Sequence, residues 1–169
     1  MPTLTVWRYP TVLGAQAGEV RLKALQQRGK LTVEEAITVT WVRGTRRPHL
    51  SHLRDRGELL AGRSLLGGLL DLALRRSVYD RDARIAISHT FRRLRRAGVD
   101  PALLAFFRAE LTPGTSALLV LSATPDIETI ASGVAWGEAA LLHTALSADA
   151  LDALRDLVAA VGTRASTAR

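Results

Sequence analysis

The side chains of this chain best suited to binding a metal ion are its four histidines and a pair of aspartates. His49 and His52 lie three residues apart, a spacing that chelates a metal when the segment is helical, and His89 is a third candidate ligand. Neither a carboxylate pattern nor a cysteine accompanies them, and Asp80 and Asp82 lack the further oxygen ligands and the glycine of a calcium-binding loop. We therefore predict that the chain has no metal site.

The sequence contains no recognisable catalytic motif. The absence of cysteine excludes a thiolate nucleophile, and no serine lies in the glycine-flanked turn of a nucleophile elbow. The adjacent residues Gly67 and Gly68 do not match a phosphate-binding loop. His143 falls on an expected apolar edge strand and is expected to be a hydrogen-bonded core or interface histidine. We predict a protein with no enzymatic activity, no catalytic residue and no cofactor.

Positive charge is concentrated in residues 43–98, which read as an insertion between more regular segments. This stretch holds 14 of the 23 Lys and Arg residues and 5 of the 16 Asp and Glu residues, a net +9, whereas the remaining 9 basic and 11 acidic residues carry −2. The whole chain carries +7 and has a pI near 11.1. Such a charge favours acidic partners, either nucleic acid or an anionic membrane surface, although an arginine-rich surface without a partner is the alternative.

Residues 82–96 have the pattern of an amphipathic basic helix. Ala83, Ile87, Phe91 and Leu94 recur at helical spacing on one face, and arginines recur on another. This face could lie on anionic lipid or follow the phosphates of a nucleic acid. The alternative is a solvated outer face, since acidic residues interleave the basic ones. The candidate polyanion-binding residues are Arg81, Arg84, Arg92, Arg95 and Arg96.

Residues 59–74 are apolar around more of a helix than one domain face requires, and small residues among the leucines favour close contact between helices. We therefore predict a homo-oligomer assembled through this segment, and this self-association is the leading functional hypothesis from the sequence. Burial against the chain's own helices is the alternative. The candidate self-association residues are Leu59, Leu60, Leu65, Leu66, Gly67, Leu69 and Leu70.

The same apolar run is too short to cross a bilayer. It is broken by Asp71, bordered by Arg63 and Arg75, and falls short of the roughly 20 residues that a spanning helix needs. We expect a cytoplasmic protein, with a peripheral position at the inner face of the membrane as the alternative.

Strand and helix patterns alternate on either side of the insertion. Before it, residues 3–9 and 36–42 have strand periodicity, and they flank a helix capped by Thr11. The expected buried face of that helix is formed by Leu13, Ala17, Val20 and Ala24. After the insertion, a helix begins at Asp100 and Pro101, and a continuous apolar strand at 116–122 is expected to be buried on both faces. A short helix near 124–133, a fourth strand at 139–144, a helix after Ser147 and a frayed tail at 162–169 complete the chain.

This order of elements, β-α-β, insertion, α, β-α-β, α, predicts one domain over residues 1–169 with a helical insertion at 43–98. The predicted class is α+β, a ferredoxin-like sandwich in which a four-stranded sheet carries helices on one face.

Four stretches, matched in order, resemble an uncharacterised bacterial family that is catalogued as a domain of unknown function and often labelled a membrane or stress-associated protein. They are LTVWRYP (4–10), EEAITVTWVRGTRRP (34–48), GVDPALLAFFRAELTPGTSALLVL (98–121) and AALLHTALSADALDALRD (139–156). The centre of that family is similar to a glycine-zipper hairpin, which implies membrane insertion. In this chain the first half of the hairpin is present as Gly57, Gly62, Gly67 and Gly68, and a charged segment replaces the second half. The resemblance implies no catalytic residues.

Overall fold

The computed structural model describes residues 2–53, 65–74, 92, 95–96, 100–123, 127–135, 139–145, 147–149, 152 and 156. Among these residues it places five strands, β1 (Thr3–Tyr9), β2 (Val33–Thr40), β3 (His49–His52), β4 (Ser116–Ser122) and β5 (Ala140–Ala145). The helices with described bounds are α1 (Gly14–Gln27), α2 (Leu65–Leu74), α3 (Pro101–Glu110) and α4 (Ile127–Val134). None of the described helices is long and apolar enough to cross a membrane.

The five strands form one open sheet in the order β3-β2-β4-β1-β5, with every neighbouring pair antiparallel. The apolar strand β4 occupies the centre, and all seven of its residues are buried. It pairs with β1 from Thr3↔Ser122 to Tyr9↔Ser116 and with β2 from Val33↔Ser122 to Thr40↔Ser116. Because β1 and β2 are both antiparallel to β4, they are parallel to each other.

Helices cover both faces of this sheet, because its central strands are apolar on both sides. Leu4 and Val6 of β1 share one apolar cluster with residues of α2 and α3. Trp7 and Tyr9, which point to the opposite face, share a second cluster with residues of α1 and α4. The mixed α+β class is confirmed, but the predictions of four strands and of helices on one face are wrong. The additional strand, β3, lies in the segment predicted to be a helical insertion.

Several local predictions are confirmed. The predicted strands at 3–9 and 116–122 coincide with β1 and β4. Asp100 caps α3, since its Oδ1 accepts a hydrogen bond from the Ala102 N–H at 2.8 Å and Pro101 occupies the first turn. The second strand was predicted too late in the chain, because β2 ends at Thr40 and Trp41 belongs to the following loop. The fourth predicted strand overlaps β5, and it is an edge strand as expected for His143.

The buried face of α1 differs from the predicted one. Leu13 and Val20 are each 68% exposed, whereas Ala15, Gly18 and Leu22 are buried. The cause is the ring of Tyr9, because a Cβ at Gly14 would lie 2.4 Å from Tyr9 Cβ and one at Gly18 would lie 2.5 Å from Tyr9 Oη. The two glycines allow α1 to pack directly on the tyrosine. Their side of the helix therefore faces the sheet, although it looks less apolar in the sequence.

The N-terminus of α1 is held by β4 and not by the Thr11 side chain. No side chain at the N-cap forms a capping hydrogen bond. Instead, Ser116 Oγ accepts from the Ala15 N–H at 3.0 Å and donates to the Thr11 carbonyl at 2.6 Å. A buried hydroxyl on the central strand thus satisfies a helix end that has no intrahelical partner.

Candidate functional site

One concentration of exposed positive charge in the described residues lies at the β3 edge of the sheet. We call residues 41–52, comprising the β2–β3 loop and β3, the basic hairpin. Arg43, Arg46, Arg47, His49 and His52 are all exposed there. The hairpin contains no aspartate or glutamate. Its positive charge is therefore not neutralised by acidic residues of the same segment.

Backbone and side-chain hydrogen bonds fix the hairpin loop to the core. The Trp41 N–H donates to the Thr115 carbonyl at 3.0 Å, and the Gly114 N–H donates to the Trp41 carbonyl at 2.6 Å. Thr45 Oγ1 donates to the Val42 carbonyl at 2.8 Å, and Trp41 Nε1 donates to the Thr45 carbonyl at 3.1 Å. Gly44 adopts a φ of 87°, which side-chain-bearing residues rarely tolerate. These contacts tie the start of the loop to the turn before β4 and connect Trp41 with Thr45 inside the loop.

The arginines of the hairpin differ in their surroundings. The Arg43 side chain lies over the turn before β4, since a Cβ at Gly114 would lie 2.8 Å from Arg43 Nε. Arg46 and Arg47 are exposed side chains in the loop. Within the described part of the chain the ion pairs involve other cations, Arg8 Nε with Glu110 Oε2 at 3.5 Å and Lys23 Nζ with Glu19 Oε1 at 2.8 Å. Arg46 and Arg47 are therefore available to an external anion.

The predicted polyanion-binding residues are described in part. Arg92, Arg95 and Arg96 are helical and exposed. Positions three and four apart lie on the same surface of a helix, so these three arginines form a second basic patch. Arg81 and Arg84 lie outside the described residues, as does the apolar face predicted for this helix.

His49 and His52 do not lie on a helix, so the helical chelating geometry considered for them is wrong. Both lie on β3, where His49 is opposite Thr40 and His52 is opposite Ile37. Strand residues three apart point to opposite faces of the sheet, so their rings cannot share one ion. No group of three potential ligands is found among the described residues. His89, Asp80 and Asp82 lie outside them.

The central leucines that were predicted to mediate self-association are buried within a single chain. Leu65, Leu66, Leu69 and Leu70 are at most 8% exposed, and they belong to the same apolar cluster as Leu103 and Phe107 of α3 and as residues of β1 and β2. Gly67 is half-buried, and Leu59 and Leu60 lie outside the described residues. The exposure on which the self-association hypothesis depended is therefore not found for these four leucines, and the hypothesis stays a prediction.

A carboxylate on the sheet positions α2. The N–H of Leu65 donates to Glu35 Oε2 at 3.1 Å, and the N–H of Leu66 donates to both Glu35 carboxylate oxygens at 3.3 Å. Glu35 lies at an irregularity in the pairing of β2 with β4. A carboxylate at the N-terminal end of a helix is stabilising, because it accepts hydrogen bonds from N–H groups that have no partner within the helix. It aligns the leucines of α2 with the core.

One buried tyrosine has a strongly altered ionisation. Tyr9 is 3% exposed, and its hydroxyl donates to the Val134 carbonyl at 2.8 Å. Burial raises the pKa of the Tyr9 phenol well above its ordinary value near 10, and the charge of Arg21 lowers that pKa by a smaller amount. The phenol therefore remains protonated over the physiological range. Its hydrogen bond joins β1 to the end of α4, away from the basic hairpin.

The basic hairpin was not identified as a unit from the sequence. The sequence shows the charge of residues 43–98, but its helical periodicity favours residues 81–96 as the polyanion-binding segment. The available signal was the segment RGTRRPH at 43–49, in which a glycine and a threonine typical of turns separate arginines beside a strand.

Comparison of the chain with protein-family models, curated proteins and solved structures gave no match. The resemblance to the family of unknown function stays a prediction.

Proposed function

We propose that the chain is a non-enzymatic, cytoplasmic protein that binds nucleic acid through the phosphate backbone, using the basic hairpin. The observation that carries the proposal is a hydrogen-bonded edge loop with Arg43, Arg46 and Arg47 exposed and no acidic residue in the hairpin. Arginine is well suited to phosphate because its planar guanidinium donates several hydrogen bonds and stays charged. The basic patch at Arg92, Arg95 and Arg96 adds further positive charge.

The proposed site lies at an edge of the sheet, because both faces are occupied. In the recognition-motif type of RNA-binding domain, aromatic side chains on an open sheet face stack on bases. Here Trp7 and Tyr9 are 2% and 3% exposed beneath α1 and α4. On the other face, α2 and α3 cover Leu4, Val6 and Ile37. A nucleic acid can therefore contact the arginines at the edge of the sheet, whereas these aromatic side chains are not accessible for stacking on its bases.

The order of the strands supports a ferredoxin-like arrangement of the core. Without β3, the order β2-β4-β1-β5 with β1 and β2 parallel is that expected for a ferredoxin-like sheet. We therefore propose a ferredoxin-like core with β3 added at one edge and with α2 and α3 added on the second face. The basic hairpin belongs to this added edge.

Nucleic acid is favoured over an anionic membrane surface by the lack of apolar anchors near the arginines. Proteins that lie on a membrane insert a row of large apolar side chains below their basic residues. In the described part of the hairpin surface Val42, at 48% exposure, is the one exposed large apolar side chain. The hairpin also lacks Asn and Gln, which commonly read adenine edges, so we expect binding that depends little on base sequence.

The experiment compares two charge-matched double variants. Arg46→Gln with Arg47→Gln removes two exposed charges from the hairpin, and Arg28→Gln with Lys30→Gln removes two exposed charges beyond the end of α1. Binding of a short DNA duplex is measured by fluorescence anisotropy over a range of salt concentrations. We expect the hairpin variant to weaken binding at low salt by about tenfold or more and to reduce the slope of log K against log salt by about 1.8, because each phosphate contact contributes about 0.9. The control variant should change both quantities much less.

Two results would contradict the proposal. One is a wild-type protein that binds neither duplex DNA nor single-stranded RNA at low salt. The other is an equal loss of binding in the two double variants, which would indicate a response to net charge alone. Vesicles with and without anionic phospholipid provide the remaining comparison, since tight binding to anionic vesicles without binding to nucleic acid would assign the hairpin to a membrane surface.

A further inference from the structure

The two edges of the sheet differ in how well they are protected against pairing with another strand. β3 has four residues, is preceded by Pro48 and carries two exposed histidines beside the arginines of the hairpin. Short length, proline and positive charge are the features by which natural proteins prevent edge-to-edge association. The β3 edge is therefore protected.

The opposite edge strand, β5, is longer than β3, is not preceded by a proline and carries one histidine, His143, without neighbouring arginines. Its six residues, ALLHTA, include no proline, lysine, arginine or acidic residue. One edge of β5 pairs with β1 from Arg8↔Ala140 to Thr3↔Ala145, and no described strand pairs with its other edge. In an antiparallel sheet every second residue of an edge strand directs its N–H and C=O away from the neighbouring strand. The outer edge of β5 therefore presents backbone donors and acceptors to a partner.

We propose that two copies of this chain associate by antiparallel pairing of their β5 strands about a two-fold axis. Such pairing places a strand against an identical strand, so any charge on it would face a like charge nearby. β5 carries no lysine, arginine or acidic residue, whereas pairing through β3 would bring two basic hairpins together. Ala140 is exposed and Leu141 is 39% exposed, so an apolar contact accompanies the backbone hydrogen bonds. The chemistry of this edge therefore fits a second copy.

The resulting dimer has a continuous sheet of ten strands, which is within the size of natural open sheets. The two β3 strands lie at its far ends, so dimerisation leaves both basic hairpins accessible. The contact differs from the one that the sequence predicts, because it uses a strand edge and not the leucines of residues 59–74. It also requires no nucleic acid, and it can therefore be tested apart from the proposed function.

The test is sedimentation velocity on the full chain from low to high micromolar concentration, with two lysine variants. Leu141→Lys places a charge on the β5 edge at a partly exposed position, and Val20→Lys places the same charge on the exposed surface of α1. We expect a wild-type dimer, an increase in Kd of about tenfold or more for Leu141→Lys with unchanged circular dichroism, and no change for Val20→Lys. A monomeric wild type, or a dimer equally sensitive or insensitive to both variants, overturns the proposal.

Hydrogen exchange on the wild type keeps the proposal testable if Leu141→Lys does not fold. Amide exchange of peptides covering Ala140–Ala145 is measured by mass spectrometry at low and at high protein concentration. Pairing through β5 slows exchange in these peptides as the dimer forms, while peptides covering β3 are unaffected. Equal exchange of the β5 peptides at the two concentrations overturns the proposal.

Discussion

At the scale of single residues, Tyr9 is the side chain on which the α1 face of the sheet depends. Its ring fills the space left by Gly14 and Gly18, and its hydroxyl donates to the Val134 carbonyl at the end of α4. One phenol thus connects a strand and two helices. The phenol can do this only while it is protonated, because a phenolate has no proton to donate to the carbonyl.

The stability of the fold should therefore decrease at alkaline pH in a way that requires Tyr9. Below pH 10, the phenol is protonated in both folded and unfolded chains, and it adds no pH dependence. Above that value the unfolded chain loses the proton while the folded chain keeps it, so the free energy of unfolding falls by up to about 1.4 kcal/mol per pH unit. Urea unfolding of wild type and Tyr9→Phe at several pH values measures the difference. Tyr9→Phe should be less stable near neutral pH and should lose less stability above pH 10. Parallel curves for the two proteins would show that Tyr9 does not ionise on unfolding as described.

The same tyrosine explains why the buried face of α1 could not be predicted. Sequence periodicity identifies Leu13 and Val20 as apolar, but it does not show which surface lies opposite the helix. That surface is an aromatic ring close to the backbone, and only glycine permits such an approach. The buried face is chosen by the fit to Tyr9, and the leucine and valine remain exposed at 68% each.

At the scale of elements, α2 is placed by a single carboxylate. Glu35→Ala should lower the free energy of unfolding by about 1 to 2 kcal/mol, because the N–H groups of Leu65 and Leu66 lose their acceptor. Glu34→Ala is the matched control, since Glu34 is the exposed neighbour on the same strand. Denaturant unfolding of the two variants gives the comparison. An equal effect of the two substitutions would mean that the carboxylate does not hold α2.

The elements that could be predicted are those whose own apolar composition indicates that they are buried. β4 is apolar at five consecutive positions, Ala117 to Leu121, and this composition predicts its place in the middle of the sheet. β3 has the sequence HLSH and was not recognised, because a short edge strand with one apolar side chain resembles a loop. The candidate site shares this limitation. The sequence located the positive charge within residues 43–98, but the turn that presents Arg46 and Arg47 together depends on contacts with Thr115 and Gly114.

At the scale of the whole molecule, the burial of the α2 leucines bears on whether the chain requires a partner to fold. Leu69 is fully buried among residues of the same chain, so Leu69→Ala should lower the free energy of unfolding by about 2 to 5 kcal/mol. The loss should not depend on protein concentration, because the contacts are within one chain. Leu13→Ala is the control, and its exposed side chain should contribute less than about 0.5 kcal/mol. Thermal unfolding at two concentrations measures both. A loss that appears only at high concentration would instead place Leu69 between subunits.

The central position of β4 also determines when the protein can fold during its synthesis. Thr3 is paired with Ser122, and Thr40 with Ser116, so neither β1 nor β2 can form its main ladder until β4 has been made. A nascent chain that ends before Ser116 contains the segments of β1 and β2 but not β4, the strand that lies between them in the folded sheet. Pairings of such large sequence separation form slowly, and unpaired strand edges favour aggregation. Most of the chain must therefore leave the ribosome before the sheet can close, and β1 and β2 lack their shared partner strand until then.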